Sequence, residues 1–365
     1  MTKERNGKEY VIMSENNYYT QRDILNLEKI GEIKKQMPVW FSAFLRSIET
    51  TTSTTTRLNY CYDTRLFLNY LIDNDPRFGG IKITLIPAEM LGELSLTDLE
   101  IYVEYLGYYV KDDETIVMNA EKGKARKIAS LKTLYKYLQK KEMIQANPSM
   151  LLSMPKIHDK PIIRLDESEI ADFLHIIETG EGLSERQKKL HFRCKKRDMA
   201  IAVLFLTTGI RVSELVGLDI KSFNFNSRSF VVTRKGGNAT VLYFNEETER
   251  VLLDYLEERK IQQTDDKDMP MFLSAQQKRL NVKSVENIIQ KYAKVVTPNK
   301  HITPHKLRST YGTMLYDETG DIYLVADVLG HKDINTTQKH YAAQSERNRK
   351  AAASVIRLQT KTNNN

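Results

Sequence analysis

The segment "LGHKDINTTQKHYA", Leu329 to Ala342, carries two of the chain's seven histidines and, next to its end, Tyr341. A tyrosine there either packs into a core or attacks an electrophile, and its neighbours decide which. Three other segments offer partners. In "TTGIRVSELVGL", Arg211 and Glu214 stand three apart just after Gly209. An arginine beside an apolar face is costly unless paired, and Glu214 at i, i+3 can pair with it as a purely structural ion pair. In "TRKGGN", Lys235 precedes Gly236–Gly237 at the end of a strand. A lysine on such a turn is either simply exposed or held where it can protonate a leaving oxygen. In "TPHKLRSTYGTML", Pro304 can open a helix on which His305 and Arg308 share a face, aiming an imidazole and a guanidinium at one anion. Arginine suits that task because its planar fork meets two phosphate oxygens and never loses its charge.

Together these residues describe a phosphodiester chemistry. Arg211 and Arg308 can neutralise the non-bridging oxygens of a crowded transition state, the electrostatic help expected to supply most of the rate. A histidine or Lys235 can give the departing sugar oxygen its proton. Tyr341 can be the nucleophile, conserving the bond energy in a phosphotyrosyl ester. No metal and no cofactor is expected. HExxH is absent, and the acidic residues show no EF-hand or DxD-like spacing.

The elements that must hold these groups are mostly helical. "MPVWFSAFLRSI" has Pro38 in the right place for a first turn. "TTTRLNYCYDTRLFLNYLIDN" puts Leu58, Tyr62, Leu66 and Leu68 on one face. "SLTDLEIYVEYLGYYV" opens on Ser95 as N-cap with Asp98 three residues on. A basic helix from about Ala125 to Glu142 stops before Asn147–Pro148. This reading gives an N-terminal extension (1–33), a small helical domain (34–150) and a proline-containing linker (151–165). A mostly helical second domain (166–350) follows, capped at its start by Asp166, then a C-terminal helix and polar tail (351–365). Within the second domain, "RSFVVTRKGGNATVLYF" reads as a β-hairpin.

A length of 365 residues suits two domains, and 41% hydrophobic with 28% charged content suits a globular protein. No apolar run approaches the roughly 20 residues that span a bilayer, so no membrane insertion is expected. The first residues lack the apolar core of a signal peptide, and the two cysteines, Cys61 and Cys194, form no CxxC pattern. Both points fit a reducing cytoplasm. The net charge of +8 favours a polyanionic partner. Seven of the twelve residues from Arg186 to Arg197 are basic, and "EKGKARKIASLKTLYKYLQKKE" forms a second cluster. Arg57, Lys124, Arg126, Lys127 and Lys132 are the candidates for phosphate contact in the first domain; the alternative is an ordinary solvated face.

In order and spacing, these segments resemble the tyrosine recombinase (integrase) family. Arg211 falls at that family's first catalytic arginine and Lys235 at its hairpin lysine. His305 and Arg308 fall at its HxxR box, His331 at its later histidine and Tyr341 at its nucleophile. The resemblance implies a mainly α, two-domain DNA clamp: a helical, SAM-like core-binding domain and a catalytic domain of the DNA breaking–rejoining fold with a small β-hairpin. The compact length is most similar to Xer-type enzymes. It implies site-specific recombination through a covalent 3′-phosphotyrosyl intermediate and a Holliday junction, by a homo-tetramer on two duplexes. It also implies chromosome dimer resolution at a dif-type site with an FtsK-type translocase. In this frame Glu214 orients Arg211. A phage or transposon integrase, a type IB topoisomerase and a non-catalytic DNA-binding regulator are the other readings.

Overall fold

A computed structural model of the chain describes residues 4–5, 8–9, 18–110, 114–158, 162–234, 237–259, 269–331 and 333–340. The chain divides into two compact units, Met1–Asp159 and Lys160–Asn365, both mainly helical with small antiparallel sheets. Among the described residues no helix is long and apolar enough to cross a membrane.

The first unit opens on a two-residue ribbon, β1 (Glu4–Arg5) with β2 (Lys8–Glu9). Helix α1 (Tyr18–Lys34) follows and packs along α3. The segment read as an extension therefore supplies Ile30 and Ile33 to the core. Helix α2 (Val39–Ser47) buries Trp40, Phe41, Phe44 and Leu45. Helix α3 (Thr54–Asn74), capped by Ser53, buries Leu58, Cys61, Phe67, Leu68 and Leu71. Its buried face is thus rotated from the expected one: Tyr62 is 41% exposed, and Asp63 takes an interior position instead.

After α4 (Ala88–Gly92), the capping box of Ser95 and Asp98 opens α5 (Leu96–Tyr105). That helix ends earlier than its apolar run suggests, because Asn119 Nδ2 donates to the Leu106 carbonyl at 2.7 Å and the chain turns into a hairpin. The hairpin is β3 (Tyr108–Val110) with β4 (Ile116–Met118). The basic helix α6 (Glu121–Lys140) closes the unit on Ile128, Leu131, Leu134, Tyr135 and Leu138.

Part of the basic surface is spent inside this unit. Arg126 holds the buried Asp63 with two hydrogen bonds, Nη2 to Oδ1 at 2.8 Å. Burial raises the Asp63 carboxyl above its ordinary value, and Arg126 opposes that rise. Arg57 pairs with Glu49 at 2.6 Å, and Lys127 donates to Asn119 Oδ1 at 2.9 Å.

The second unit is built on α8 (Glu185–Thr208), with α7 (Glu167–Thr179) before it under the Asp166–Glu169 capping box. The C-terminal half of α8, from Ala200 to Leu206, is buried. Then come α9 (Val212–Val216) and a three-stranded sheet of β5 (Phe223–Asn224), β6 (Ser229–Thr233) and β7 (Ala239–Tyr243). The expected hairpin is β6–β7, with Val231 opposite Val241. Helices α10 (Glu246–Glu258) and α12 (Pro304–Thr319) pack on α8, and α11 (Val282–Val296) on α7. Short α13 (Ile322–Leu329) and α14 (Ile334–His340) finish the described part. The Arg186–Arg197 cluster is also partly structural. Arg197 is buried against Asp198 at 2.6 Å, and Lys195 meets Glu178 at 3.1 Å.

Candidate active site

Two glycines set the close approaches. Gly209 ends α8 with φ +60°, and a Cβ there would lie 2.4 Å from Tyr311 Cδ1 and 2.8 Å from Leu329 Cδ2. Gly330 ends α13 with φ +61°, and a Cβ there would fall 1.0 Å from Arg234 Nη1. Both positions need the left-handed conformation that glycine adopts without strain, and both leave room that a methyl group would fill.

Arg211 is the N-cap residue of α9. Glu214, buried at 3% exposure, accepts from the Arg211 backbone N–H at 2.9 Å through Oε2 and from its Nη1 at 2.8 Å through Oε1. One carboxylate therefore caps the helix and aims the guanidinium. Nη2 of Arg211 donates to the Gly330 carbonyl at 2.9 Å. Arg308, only 5% exposed, rises from the first turns of α12 and donates to the carbonyls of Gly209 and Leu329. Arg234, at the end of β6, donates through Nη2 to the Val328 carbonyl at 2.9 Å.

Three consecutive carbonyls at the end of α13 thus each receive a different arginine. The last carbonyls of a helix lack intrahelical partners and carry the negative end of its dipole, so they draw cations. Here they draw in side chains that are far apart in sequence. Three guanidiniums are thus gathered at one turn, and the Glu214 carboxylate is hydrogen-bonded to that of Arg211. Burial lowers the Arg234 guanidinium from its usual value; Glu214 and Asp327 raise it, and the like charge of Arg211 adds to the lowering. Clustered guanidiniums in a partly desolvated pocket are suited to an anion with several oxygens, such as a phosphodiester.

His331 follows Gly330 directly. Its Nδ1 lies 2.7 Å from Thr337 Oγ1, a hydroxyl buried in α14, and this hydrogen bond fixes the ring. His305 lies one turn ahead of Arg308 on α12 and is exposed. Lys235 and Tyr341 lie outside the described residues, immediately after Arg234 and after the last residue of α14.

Sequence reasoning passed over Arg234. The signal was present in the alternation of β6: Phe230 and Val232 point inward, Val231 and Thr233 outward. Arg234 therefore falls on the inner side, where a charge needs a reason.

Residues 164–348 match the Phage integrase family. Tyrosine recombinase XerS of Streptococcus mutans serotype c is 31% identical, covering 87% of this chain and 95% of its own. The chain belongs to the phage integrase family. It is a tyrosine recombinase of the Xer type, a DNA strand transferase that acts in site-specific recombination, and DNA is its partner. Tyrosine recombinase XerC of Caldanaerobacter subterraneus subsp. tengcongensis is also 31% identical to the recombinase, over 76% of this chain and 75% of its own. Two crystal structures share the fold. XerH bound to palindromic difH substrate has a TM-score of 0.60 and 17% identity, over 82% of this chain and 79% of that one. The lambda integrase dimer bound to a COC′ core site has a TM-score of 0.59 and 13% identity, over 88% and 98%.

Proposed function

We propose that this recombinase resolves chromosome dimers at a dif-type site, cutting and rejoining strands in pairs as a homo-tetramer on two duplexes, with an FtsK-type translocase controlling the order. The observation that carries the chemistry is the convergence of Arg211 and Arg308 on the turn that delivers His331. In the proposed step the Tyr341 hydroxyl gives its proton to His305, its oxygen attacks the scissile phosphorus and the bond to the 5′-oxygen breaks. A 3′-phosphotyrosyl ester forms, and the 5′-oxygen leaves as a hydroxyl with a proton from Lys235. Arg211 and Arg308 hold the non-bridging oxygens, while His305 and His331 serve proton transfer and positioning. Glu214 keeps Arg211 aimed. A 5′-hydroxyl from the second duplex then reverses the step on the other strand, through a Holliday junction.

Two measurements test this reading. A nicked substrate that traps the cleaved state should give a covalent protein–DNA adduct with wild type and none with Tyr341→Phe. An adduct that survives this substitution means that another residue is the nucleophile. A synthetic Holliday junction built on two dif-type sites should be resolved. Relaxation of supercoiled DNA without junction resolution would indicate a topoisomerase instead.

A further inference from the structure

Arg234 joins two parts of the site through one residue. Its backbone closes the base of the β6–β7 turn, with its N–H donating to the Asn238 carbonyl at 2.8 Å and its carbonyl accepting from Gly237 N–H at 3.0 Å. Its side chain crosses to the end of α13, where Nη2 meets the Val328 carbonyl at 2.9 Å and Nη1 occupies the space that Gly330 leaves empty. Its Nε is buried without a hydrogen-bond partner. That cost is of the kind a fold keeps when the group has a task.

We propose that Arg234 is a positioning residue: it locks the base of the hairpin to the last turn of α13, and through that lock it governs the proton transfer assigned above to Lys235. The inference rests on the reading of Lys235 as the group that protonates the leaving oxygen. Arg211 and Arg308 touch the same turn from α9 and α12, whereas Arg234 reaches it from the hairpin. Glu214, Arg211 and Asp327 are the charged groups that act on it. A side chain that fixes a catalytic group need not touch the phosphate, yet a displacement of about 1 Å in such a group can cost on the order of 100-fold in rate.

The experiment compares single-turnover cleavage of two trapping substrates by the full chain. One has the natural 5′-oxygen at the scissile bond. The other has a bridging sulfur there, whose thiolate leaves without needing a proton. The enzymes are wild type, Arg234→Ala, Arg234→Lys, Gly330→Ala and Lys235→Ala, each first checked for melting temperature and for DNA affinity. On the oxygen substrate, Arg234→Ala should cleave about 10- to 100-fold more slowly than wild type, within the range for a general acid out of place. Its DNA affinity should stay within about threefold of wild type, because its side chain donates to the Val328 carbonyl and phosphate contacts are spread over many residues.

Gly330→Ala, which evicts the same guanidinium, should share the defect, and Arg234→Lys, which keeps a donor but not the fork, should recover part of it. On the sulfur substrate, Arg234→Ala and Lys235→Ala should both return to near the wild-type rate. A wild-type rate for Arg234→Ala on the oxygen substrate overturns the proposal, as does an equal defect on both substrates while Lys235→Ala is rescued. If sulfur fails to rescue Lys235→Ala, the proton-donor reading itself falls and takes the coupling with it.

Discussion

At the scale of single residues, Glu214 has two jobs that substitution can separate. Glu214→Gln keeps an acceptor for the Arg211 backbone N–H and loses the charge beside the guanidinium, whereas Glu214→Ala loses both. Glu214→Ala should lower the melting temperature, with about 1 kcal/mol lost for the cap alone, and should slow cleavage; Glu214→Gln should melt close to wild type. Adduct formation and thermal denaturation read the two effects. His191 gives a pH prediction. It is fully buried, its Nδ1 sits 3.1 Å from the Tyr292 hydroxyl, and its Nε2 has no partner. Burial, then the nearby Lys291, lowers its value from 6.5, with Asp198 opposing. A lowered histidine is neutral in the fold while the unfolded chain takes up a proton, so stability present above about pH 6.5 is lost as pH falls below it. Melting followed from pH 7.5 down to 5.5, a window set by that ordinary histidine value, should show the decline, and His191→Gln should flatten it.

Among the elements, the end of α13 is the one the others converge on. Gly330→Ala forces an alanine into the left-handed region, costing about 1–2 kcal/mol, and should lower the melting temperature while also displacing Arg234. The sequence revealed these elements unevenly, and for physical reasons. Ser95, Asp166 and Gly330 announce helix ends because capping chemistry is local. The pairing of Arg211 with Glu214 was legible for the same reason, since i, i+3 is a local spacing. The meeting of Arg211, Arg234 and Arg308 at one turn was not, because main-chain carbonyls leave no mark in a sequence. Helix α1 escaped notice since only Ile30 and Ile33 of its residues are buried. The face of α3 was misjudged because Asp63, a charged residue, holds an inward position that only Arg126, in another helix, makes tolerable. The hairpin β3–β4 was missed because three-residue strands show almost no alternation.

Across the whole molecule, the basic surplus divides between structure and ligand. Arg126 is tied to Asp63, so Arg126→Ala should destabilise the first unit. The loss should be about 1–2 kcal/mol, less than for a fully buried pair because the Arg126 side chain is 45% exposed. Lys132, by contrast, takes part in no ion pair among the described residues, and Lys132→Ala should leave melting unchanged. Titrations of dif-type DNA from 50 to 200 mM salt, a range over which phosphate contacts weaken markedly, should show a steep loss of affinity. The slope of log affinity against log salt should fall by about one in Lys132→Ala if that lysine meets a phosphate.

The carbonyls that receive Arg211, Arg234 and Arg308 have a consequence for how this recombinase tolerates change. Their acceptor atoms belong to the main chain, so no exchange of the Val328 or Leu329 side chain can delete them. Intolerance should therefore gather at the two residues that have no side chain, Gly209 and Gly330, and at the arginines themselves. In a library covering residues 205–215 and 322–335, scored by recombination in cells, half-buried Val328 should accept other aliphatic residues. The two glycines should accept almost nothing, which would make them as diagnostic of the site as any charged residue in it.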